Sequence, residues 1–356
     1  MSTPNNPNPN PVVDVLILGA GPAGLGAAAA LARQLHTALV FSSARFRNAR
    51  ARHMHNVPGW DHRDPAAFRG AAREQILARY DTVRFEDCEI VRVAKIHGDG
   101  DEESGKGKGM LFEAVDSDGN TFRGRRVIVA SGVRDIMPED IPGYAGLWGR
   151  SIFHCAFCHG YEERGRPSAG LLATGPLTNP LMGPAVARMA GRLAGQVTVY
   201  TNGHPEVGAQ LRAALKSTKK FRIEDRKIAS FARDPEKPSS IALASRPGEE
   251  EEEEEDAHHG LLATLEDGTV IREGFMLHAP ETEQAAPFAA QLGLELEPKG
   301  GFIKTAAPFP TTSVEGVLAV GDCATMMKSV PTAMYMGTMA AAGVVHGLQA
   351  EDDVEE

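Results

Sequence analysis

The sequence has few cysteines, few aromatic residues and no long uninterrupted run of apolar residues. Four of its 356 residues are cysteine, and 6% are aromatic. Four cysteines are too few for the disulfide framework of a secreted protein of this length. The uncharged stretch Val15 to Ala32 has 18 residues, but glycines and a proline interrupt it. It therefore does not predict a membrane span.

A basic surface is also missing. The formal net charge is −10, and it falls to −2 when the eight consecutive acidic residues from Glu249 to Asp256 are set aside. Without a basic stripe, neither nucleic acid nor an anionic membrane is an expected partner, which leaves small molecules. Eight like charges cannot pack together, so the acidic run is predicted to be a solvated loop.

The N-terminal residues contain no lysine or arginine before Arg33, so they lack the charged start of a signal peptide. We predict a disordered leader over residues 1–11 and a cytoplasmic protein. With 42% hydrophobic and 24% charged residues, the remainder suits two or three globular domains.

A glycine-rich turn lies between a predicted strand and a predicted helix near the start of the sequence. The apolar run Val12 to Leu18 precedes Gly19-Ala20-Gly21-Pro22-Ala23-Gly24, an alanine-rich helix follows to Leu35, and a second strand covers Ala38 to Phe41. In this context the pattern predicts a dinucleotide site, with the pyrophosphate at the helix N-terminus. A glycine turn without a ligand is the alternative. The predicted cofactor contacts here are Gly19, Gly21, Pro22, Ala23 and Gly24, with Ser42 where other members of this pattern carry a carboxylate.

Cys155-Ala156-Phe157-Cys158-His159 is the second chemical motif. Its spacing brings two sulfurs close enough for a disulfide, and a neighbouring base lowers the pKa of such a thiol. We predict a redox-active pair, with His159 as the catalytic base. The alternatives are an inert structural pair, a zinc site and, for His159, an ordinary packed histidine. A zinc site needs two more ligands, so no metal is predicted.

A third motif, Gly321-Asp322, follows the predicted strand Val317 to Val320. The Asp322 carboxylate can accept hydrogen bonds from a polyol such as the ribityl moiety of a flavin. Cys88 and Cys323 have no close cysteine partner in the sequence and are predicted to be packed thiols.

The remaining pattern is that of an α/β protein. Asp64-Pro65 predicts a helix over Ala66 to Arg79, and Asp118-Gly119 and Asp267-Gly268 predict hairpins. A second strand–helix–strand segment is predicted at Ala169 to Ala173, Pro184 to Leu193 and Gln196 to Tyr200, and a last helix begins near Pro331.

Together, the glycine fingerprint, the central cysteine pair with two residues between its members, and Gly321-Asp322 resemble the low-molecular-weight thioredoxin reductases. The resemblance implies two Rossmann-like FAD/NAD(P)-binding domains and a homodimer. It implies a discontinuous FAD domain, residues 12–145 and 281–356, with 146–280 inserted. It further implies that Cys158 lies against the flavin and that Cys155 exchanges with substrate. Ala130-Ser131-Gly132 resembles a turn of that family, which makes Ala130 and Gly132 expected FAD contacts.

The inserted segment departs from that family where NADPH would bind. Leu177 replaces the second glycine of the expected turn and Pro180 replaces the small third residue. We expect the Leu177 side chain to fill the space of the pyrophosphate, and Pro180 removes a backbone donor. The stretch Tyr200-Thr201-Asn202-Gly203 also lacks an arginine pair for a 2′-phosphate. The segment is therefore predicted not to bind NADPH.

The octapeptide that begins at Cys155, Cys-Ala-Phe-Cys-His-Gly-Tyr-Glu, resembles the fungal small-molecule dithiol oxidases typified by the gliotoxin oxidoreductase. Two further motifs, Arg47-Asn48-Ala49 and His53-Met54-His55-Asn56, support this resemblance, and within them Asn48 and His55 are predicted cofactor contacts. The resemblance implies an FAD enzyme that closes a disulfide in an epidithiodiketopiperazine-like dithiol, with O2 as acceptor and H2O2 as product. A reductase supplied by NADPH or a protein donor, and a non-catalytic dithiol-binding module, remain open.

Overall fold

The structure is a computed structural model that describes residues 11–99, 108–217, 219–236 and 259–355. The predicted leader, apart from residue 11, and the acidic run Glu249 to Asp256 lie outside the described residues. The protein divides into two compact units. Unit 1 comprises Met1–His53, Val57–Arg134 and Thr282–Glu356, and unit 2 comprises Met54–Asn56 and Asp135–Glu281.

Unit 1 is built on a mixed sheet with helices packed against it. Its strands are β1 (Val13–Leu18), β2 (Ala38–Phe41), β3 (Val83–Glu86), β4 (Ile90–Asp99), β5 (Lys108–Asp116) and β6 (Thr121–Val129), with β7 (Val133–Asp135) at the point where the backbone leaves the unit. The first helices are α1 (Pro22–Ala32) and α2 (Pro65–Arg79). The sheet order is β3-β2-β1-β6-β5-β4, and the β3-β2-β1-β6 part is parallel.

Helix α1 differs at both ends from the predicted Gly24 to Leu35. It begins at Pro22, because Gly21 is extended as the N-cap and proline suits the first helical position. It ends at Ala32, and Leu35 has a left-handed φ of 60°, so it cannot continue the helix. The strand on either side is buried, as the apolar runs predict.

Unit 2 contains a parallel sheet and a separate antiparallel one. Its strands are β8 (Ile152–Phe153), β9 (Arg166–Leu172), β10 (Ala194–Tyr200), β11 (Phe221–Glu224), β12 (Ile228–Arg233), β13 (Leu261–Leu265), β14 (Val270–Glu273) and β15 (Met276–Leu277), and its helices are α3 (Tyr144–Leu147), α4 (Ala156–His159), α5 (Met182–Leu193) and α6 (Pro205–Ala214). The parallel sheet has the order β11-β10-β9-β15-β8, and β12-β13-β14 is antiparallel.

The last elements of the protein return to unit 1. These are β16 (Thr282–Gln284), α7 (Phe288–Gln291), β17 (Val317–Ala319) and α8 (Val330–Glu355). Strand β17 pairs in parallel with β6, which places the C-terminal segment in the same sheet as the N-terminal one. Unit 1 is therefore discontinuous in sequence.

Helices α1 and α8 pack backbone to backbone through small residues. A Cβ added to Gly26 would lie 2.7 Å from the carbonyl oxygen of Met334, and one added to Gly337 would lie 2.1 Å from that of Ala23. Neither contact leaves room for a side chain, so glycine is required for this packing. No helix in the described part of the protein is both long enough and apolar enough to cross a membrane.

The division into units differs from the expected boundary at residue 145. Residues from Asp135 onward belong to unit 2, because α3 packs on the antiparallel sheet. Tyr144 is fully buried there, and its ring lies 5.8 Å from that of Trp148 and 6.4 Å from that of Phe231. A short apolar stretch gives no sequence signal for which of two neighbouring cores it joins.

Candidate functional site

The glycine turn of unit 1 is closed on one side and open on the other. Gly19 has a φ of 126°, and a Cβ there would lie 2.4 Å from the carbonyl oxygen of Ala130. A Cβ on Gly24 would lie 1.9 Å from the carbonyl oxygen of Gly19. In contrast, a Cβ on Gly21 would meet no described heavy atom within 4 Å. The turn is packed tightly against the protein and leaves space in front of Gly21.

This open space faces the N-terminus of α1. Gly21 caps the helix without a side chain, and the first turn of α1 carries no acidic residue. The first amides of a helix lack helical acceptors and carry the positive end of the helix dipole. The arrangement therefore suits an anionic group such as a pyrophosphate.

A carboxylate from the C-terminal part of the sequence lies beside this turn. Asp322 belongs to a 3₁₀ turn, Gly321–Ala324, that follows β17. A Cβ on Gly321 would lie 2.9 Å from the Cβ of Ala23, at the start of α1. Nη1 of Arg47 donates to Oδ2 of Asp322 at 3.0 Å, and the two side chains are 17% and 22% exposed. The carboxylate is thus held in place while part of it remains accessible.

The Ala130-Ser131-Gly132 turn meets the same region. Ala130 contacts Gly19, as described above, and the amide of Ala285 donates to the carbonyl of Gly132 at 3.2 Å. Cys323 is fully buried, and its Sγ lies 3.2 Å from the carbonyl oxygen of Val320. Gly19, Ala130 and Asp322 therefore come together, although more than 300 residues separate the first from the last.

Ser42 and Asn48 make local contacts in the loop after β2. The Ser42 hydroxyl accepts from the amide of Ala44 at 3.3 Å, and Oδ1 of Asn48 accepts from Nη1 of Arg69 at 3.0 Å. Both contacts stabilise the loop that also carries Arg47. Cofactor contact by Ser42 and Asn48 stays a prediction.

In unit 2, Cys155 and Cys158 form a disulfide with their Cα atoms 5.2 Å apart. Cys155 is the extended N-cap of α4, and its carbonyl accepts from the amides of Cys158 and His159 at 3.1 and 3.2 Å. This single helical turn brings the two sulfurs together, as the spacing predicts. Between them, Phe157 is 72% exposed.

The His159 ring is oriented by aromatic packing. It stacks on Phe153 with centroids 5.4 Å apart, and Phe153 stacks on Phe275 at 5.5 Å. Phe153 and Phe275 are buried. The packing fixes the imidazole plane next to the disulfide turn, and its catalytic role stays a prediction.

His55 lies against the disulfide turn. Its Nδ1 is 2.5 Å from the carbonyl oxygen of Cys158, and its Nε2 is 3.4 Å from Oε1 of Glu162. Next to it, Nδ2 of Asn56 donates to the carbonyl of Phe157 at 3.0 Å. The motif His53-Met54-His55-Asn56 predicts His55 as a cofactor contact, and this stays a prediction. Nothing in the sequence indicates that His55 contacts Cys158 and Glu162.

A buried histidine lies at the carboxyl end of the parallel sheet of unit 2. Nδ1 of His278 is 2.6 Å from the Tyr144 hydroxyl, and its Nε2 is 3.0 Å from Oγ1 of Thr174. Burial lowers the pKa of His278 to about 4, so the ring is neutral at physiological pH. A lone histidine between apolar strands gave no sequence signal for this network.

The turn that corresponds to a second glycine fingerprint differs from the expectation in the position of Leu177. The expected position of the Leu177 side chain is wrong: it is 1% exposed and packs in the core of unit 2. Gly175–Thr178 instead form a 3₁₀ turn. Oδ1 of Asn179 then accepts from the amides of Leu181 and Met182 at 2.9 and 3.2 Å.

These two amides begin α5, and they are the kind of donors that a pyrophosphate would need at a helix N-terminus. Because Asn179 already occupies them, a pyrophosphate bound at the α5 N-terminus would have to displace this side chain. Acidic residues lie beside the end of β10, where the resemblance places a 2′-phosphate. Oγ1 of Thr201 there donates to Oδ1 of Asp225, and Glu224 is close by and buried.

The protein is similar to known oxidoreductases over nearly its whole length. Residues 13–337 match the model of the pyridine nucleotide-disulphide oxidoreductase family. It is 39% identical to thioredoxin reductase aclD of Aspergillus oryzae, over 93% of this protein and 95% of the relative. It is 41% identical to thioredoxin reductase tcpT of Claviceps purpurea, over 90% of this protein and 89% of the relative.

Among solved structures, an oxidoreductase from Agrobacterium tumefaciens superimposes with a TM-score of 0.75 at 27% identity. The match covers 95% of this protein and 99% of the other. The predicted fold class, two Rossmann-like domains of the thioredoxin reductase type with the first one discontinuous, is confirmed. The protein therefore belongs to the pyridine nucleotide-disulphide oxidoreductase family and is one of its thioredoxin-reductase-like members.

Proposed function

We propose that this protein is an FAD-dependent oxidase that closes an intramolecular disulfide in a small-molecule dithiol, an epidithiodiketopiperazine-like natural product. In this proposal O2 is the electron acceptor and H2O2 the product. The observation that carries it is the Asn179 cap on α5, which occupies the amides that a nicotinamide dinucleotide would need at the start of that helix. A redox-active disulfide that lacks this electron source takes its electrons from a dithiol instead.

Residues of unit 1 would hold FAD. The pyrophosphate fits the open space at Gly21, where the α1 amides would donate to it. Gly19 and Gly24 allow the backbone to come this close. Asp322, oriented by Arg47, would accept hydrogen bonds from the hydroxyls of the cofactor. When bound, FAD supplies a two-electron acceptor for the enzyme dithiol and passes the pair to O2, which becomes H2O2.

The cysteine pair would carry out the exchange with substrate. A substrate thiolate attacks Sγ of Cys155, the Cys155–Cys158 bond breaks, and Cys158 leaves as a thiolate. The second substrate thiol loses its proton and attacks the substrate sulfur of the mixed disulfide, which releases Cys155. The substrate has then lost two electrons and two protons, and the enzyme disulfide has gained the two electrons. A ring nitrogen of His159 would accept one of the protons.

The test is an anaerobic flavin spectrum recorded during addition of NADPH and, separately, of dithiothreitol as the dithiol probe. We expect dithiothreitol to bleach the flavin and NADPH to leave it unchanged. On admission of O2 the colour returns and one H2O2 forms per dithiol oxidised. Rapid bleaching by NADPH would instead identify a reductase, and the relatives are named as thioredoxin reductases. Binding of the dithiol without bleaching or peroxide would identify a binding module.

Variants of the cysteines sharpen this test. Cys158→Ser should retain FAD and lose turnover, because the exchange needs both sulfurs. Cys88→Ser is the matched control, since Cys88 is a free cysteine outside the disulfide, and it should retain turnover. Undiminished turnover in Cys158→Ser would contradict the proposed exchange.

We further propose that the enzyme acts in the cytoplasm as a homodimer. Light scattering on the FAD-bound protein tests the second point, with twice the mass of the monomer expected. The mass of a monomer across micromolar concentrations would contradict it.

A further inference from the structure

Three residues from the first part of the sequence, Met54–Asn56, belong to unit 2 rather than to unit 1. Met54 is buried at 5% exposure and anchors the segment. The two residues that follow Met54 both contact the disulfide turn. His55 contacts the carbonyl of Cys158, and Asn56 donates to the carbonyl of Phe157. We name this segment the 54–56 clamp.

The clamp supplies partners that the turn cannot supply itself. Helix α4 spans only Ala156–His159, and carbonyls in the last turn of a helix have no helical donor. The carbonyls of Phe157 and Cys158 lie in that turn. With the clamp in place, both accept a hydrogen bond from a side chain that is more than 100 residues away in the sequence. The backbone of Cys158 is therefore held from outside its own helix.

Each ring nitrogen of His55 faces an oxygen atom. A carbonyl oxygen only accepts, so Nδ1 at 2.5 Å from the Cys158 oxygen must carry a hydrogen. Nε2 faces the Glu162 carboxylate at 3.4 Å, which also favours a hydrogen on that nitrogen. A histidine with a hydrogen on both ring nitrogens is an imidazolium. The side chains of His55 and Glu162 are 15% and 14% exposed, so water screens their attraction weakly.

We propose that His55 is a positioning residue for the disulfide: held as an imidazolium by Glu162, it seats Cys158 and stabilises the thiolate that Cys158 becomes when the disulfide is reduced. The His55 ring contacts the backbone carbonyl of Cys158, the residue whose sulfur becomes the thiolate. A cation near a thiol lowers the pKa of that thiol and favours the reduced pair over the disulfide. It also makes Cys158 a better leaving group when a thiolate attacks Cys155.

This inference rests on the proposed exchange at Cys155 and Cys158, but not on the identity of the electron donor or acceptor. The reaction that measures it is balanced without either: the protein disulfide and two glutathione molecules give the protein dithiol and glutathione disulfide. The two electrons and two hydrogens pass from glutathione to the protein cysteines. The test therefore uses the intact FAD-bound protein in anaerobic glutathione buffers, with the dithiol fraction measured by alkylation and mass spectrometry.

His55→Asn separates the effect of the charge from the effect of the hydrogen bond to Cys158. An asparagine amide can replace Nδ1 as the donor to the Cys158 carbonyl, but it carries no charge and cannot reach Glu162. We expect His55→Asn and His55→Ala both to shift the equilibrium about tenfold toward the disulfide, which corresponds to about 30 mV. Glu162→Gln, which keeps an acceptor without the charge, should shift it in the same direction by a smaller factor.

The matched control is His204→Ala. His204 also faces a carboxylate in unit 2, with Nδ1 3.1 Å from Oε1 of Glu206, but this pair is exposed and distant in sequence from the cysteines. The His204→Ala substitution should leave the equilibrium between the cysteine pair and glutathione unchanged. Far-UV circular dichroism verifies that each variant is folded. If His55→Ala does not fold, His55→Asn and Glu162→Gln carry the test.

An equilibrium constant within twofold of the wild type in folded His55→Asn would overturn the proposal. The failure of the proposed function looks different, since NADPH bleaching of the flavin would refute the oxidase and leave the glutathione equilibrium of the variants as predicted. A large loss of kcat in His55→Asn with an unchanged glutathione equilibrium would likewise refute thiolate stabilisation by His55.

Discussion

At the scale of single residues, burial separates the cysteines into two chemical kinds. Cys155 and Cys158 are joined at the surface of unit 2, whereas Cys323 is completely buried in unit 1. Burial raises the pKa of the Cys323 thiol to about 11. Burial, helped by the nearby carboxylates of Asp116 and Glu86, raises that of Cys88 to about 11 as well. Only the thiolate is nucleophilic, so neither thiol competes with the pair.

We therefore expect selective alkylation of the reduced, folded protein by iodoacetamide at pH 7.5. Cys155 and Cys158 should react first, and Cys323 at least about a hundredfold more slowly, because a pKa near 11 leaves very little thiolate at this pH. Mass spectrometry of tryptic peptides gives the individual rates. In urea all four should react alike. Equal rates for Cys323 and Cys155 in the folded protein would show that Cys323 is not buried.

Two buried glutamates of unit 2 should respond to pH in opposite ways. Glu273 is 1% exposed and accepts from the Tyr200 hydroxyl at 2.7 Å, and burial raises the pKa of its carboxyl. A hydrogen bond from Arg226 lowers the pKa of Glu224. The raised pKa means that the folded state binds the Glu273 proton more tightly than the unfolded state does.

Its contribution to stability is therefore complete below the unfolded pKa, near 4.5, and is lost as the pH rises through the folded value. Glu273→Gln removes this loss, so it should stabilise the protein more at pH 8 than at pH 4.5. Each unit of pKa shift corresponds to about 1.4 kcal/mol. Urea unfolding at the two values measures the effect. Glu224→Gln is the contrast and should destabilise the protein at pH 8. A pH-independent effect of Glu273→Gln would contradict the raised pKa of Glu273.

At the scale of elements, side-chain caps decide how the helices begin. Oδ1 of Asp64 accepts from the amide of Ala66 at 2.7 Å and caps α2, in agreement with the Asp-Pro signal in the sequence. At the start of α5 the side chain of Asn179, two residues before the N-cap Leu181, accepts from the backbone amides instead. The sequence pattern predicts the start of that helix at Pro184, whereas it begins at Met182. The difference matters, because the Asn179 contacts carry the proposal that unit 2 does not bind NADPH.

Asn179→Ala should lower the free energy of unfolding by about 1 kcal/mol, the usual cost of a lost N-cap. Asp64→Ala should cost a similar amount in unit 1 and serves as the comparison. Differential scanning calorimetry gives both values. Asn179→Ala alone should not allow NADPH to reduce the flavin, because Pro180 and the 3₁₀ turn remain. An unchanged melting temperature in Asn179→Ala would mean that its side chain does not cap α5.

Most elements could be predicted because their signals are local. The β1–α1–β2 opening, the helix after Asp64 and the hairpins at Gly119 and Gly268 depend on residues within a few positions of each other. Both hairpin glycines have the positive φ that their turns need. The direction of Leu177 could not be predicted in this way. An apolar side chain in a turn points to the core only if the fold brings a core to it.

At the scale of the whole molecule, unit 1 joins the two ends of the described sequence. Strand β17 lies beside β6 and α8 lies on α1, so Asp322 meets the turn that begins at Gly19. Arg47 orients this carboxylate. It belongs to the motif Arg47-Asn48-Ala49, but the motif alone does not predict this contact. The proposed flavin site therefore combines segments from three parts of the sequence.

We expect Asp322→Ala to weaken FAD binding by roughly ten- to a hundredfold, since hydrogen bonds to a charged group contribute about 1.5–3 kcal/mol. Arg47→Ala should weaken it less, because it leaves the carboxylate in place but unoriented. Asp352→Ala, an exposed carboxylate paired with Arg125, is the control. Flavin-to-protein ratios after dialysis measure the effect. Full retention of FAD in Asp322→Ala would remove Asp322 from the site.

The sequence by itself determined the contacts that lie within one turn of helix or one strand–turn–helix step. The three-residue spacing of Cys155 and Cys158 is enough to bring their sulfurs together, and the glycines from Gly19 onward are enough to open the N-terminus of α1. Only the tertiary structure decided that His55 meets Cys158 and that Arg47 meets Asp322, across 103 and 275 residues. Such pairs depend on which surfaces pack together, and hydrophobic patterns along the sequence are compatible with many packings.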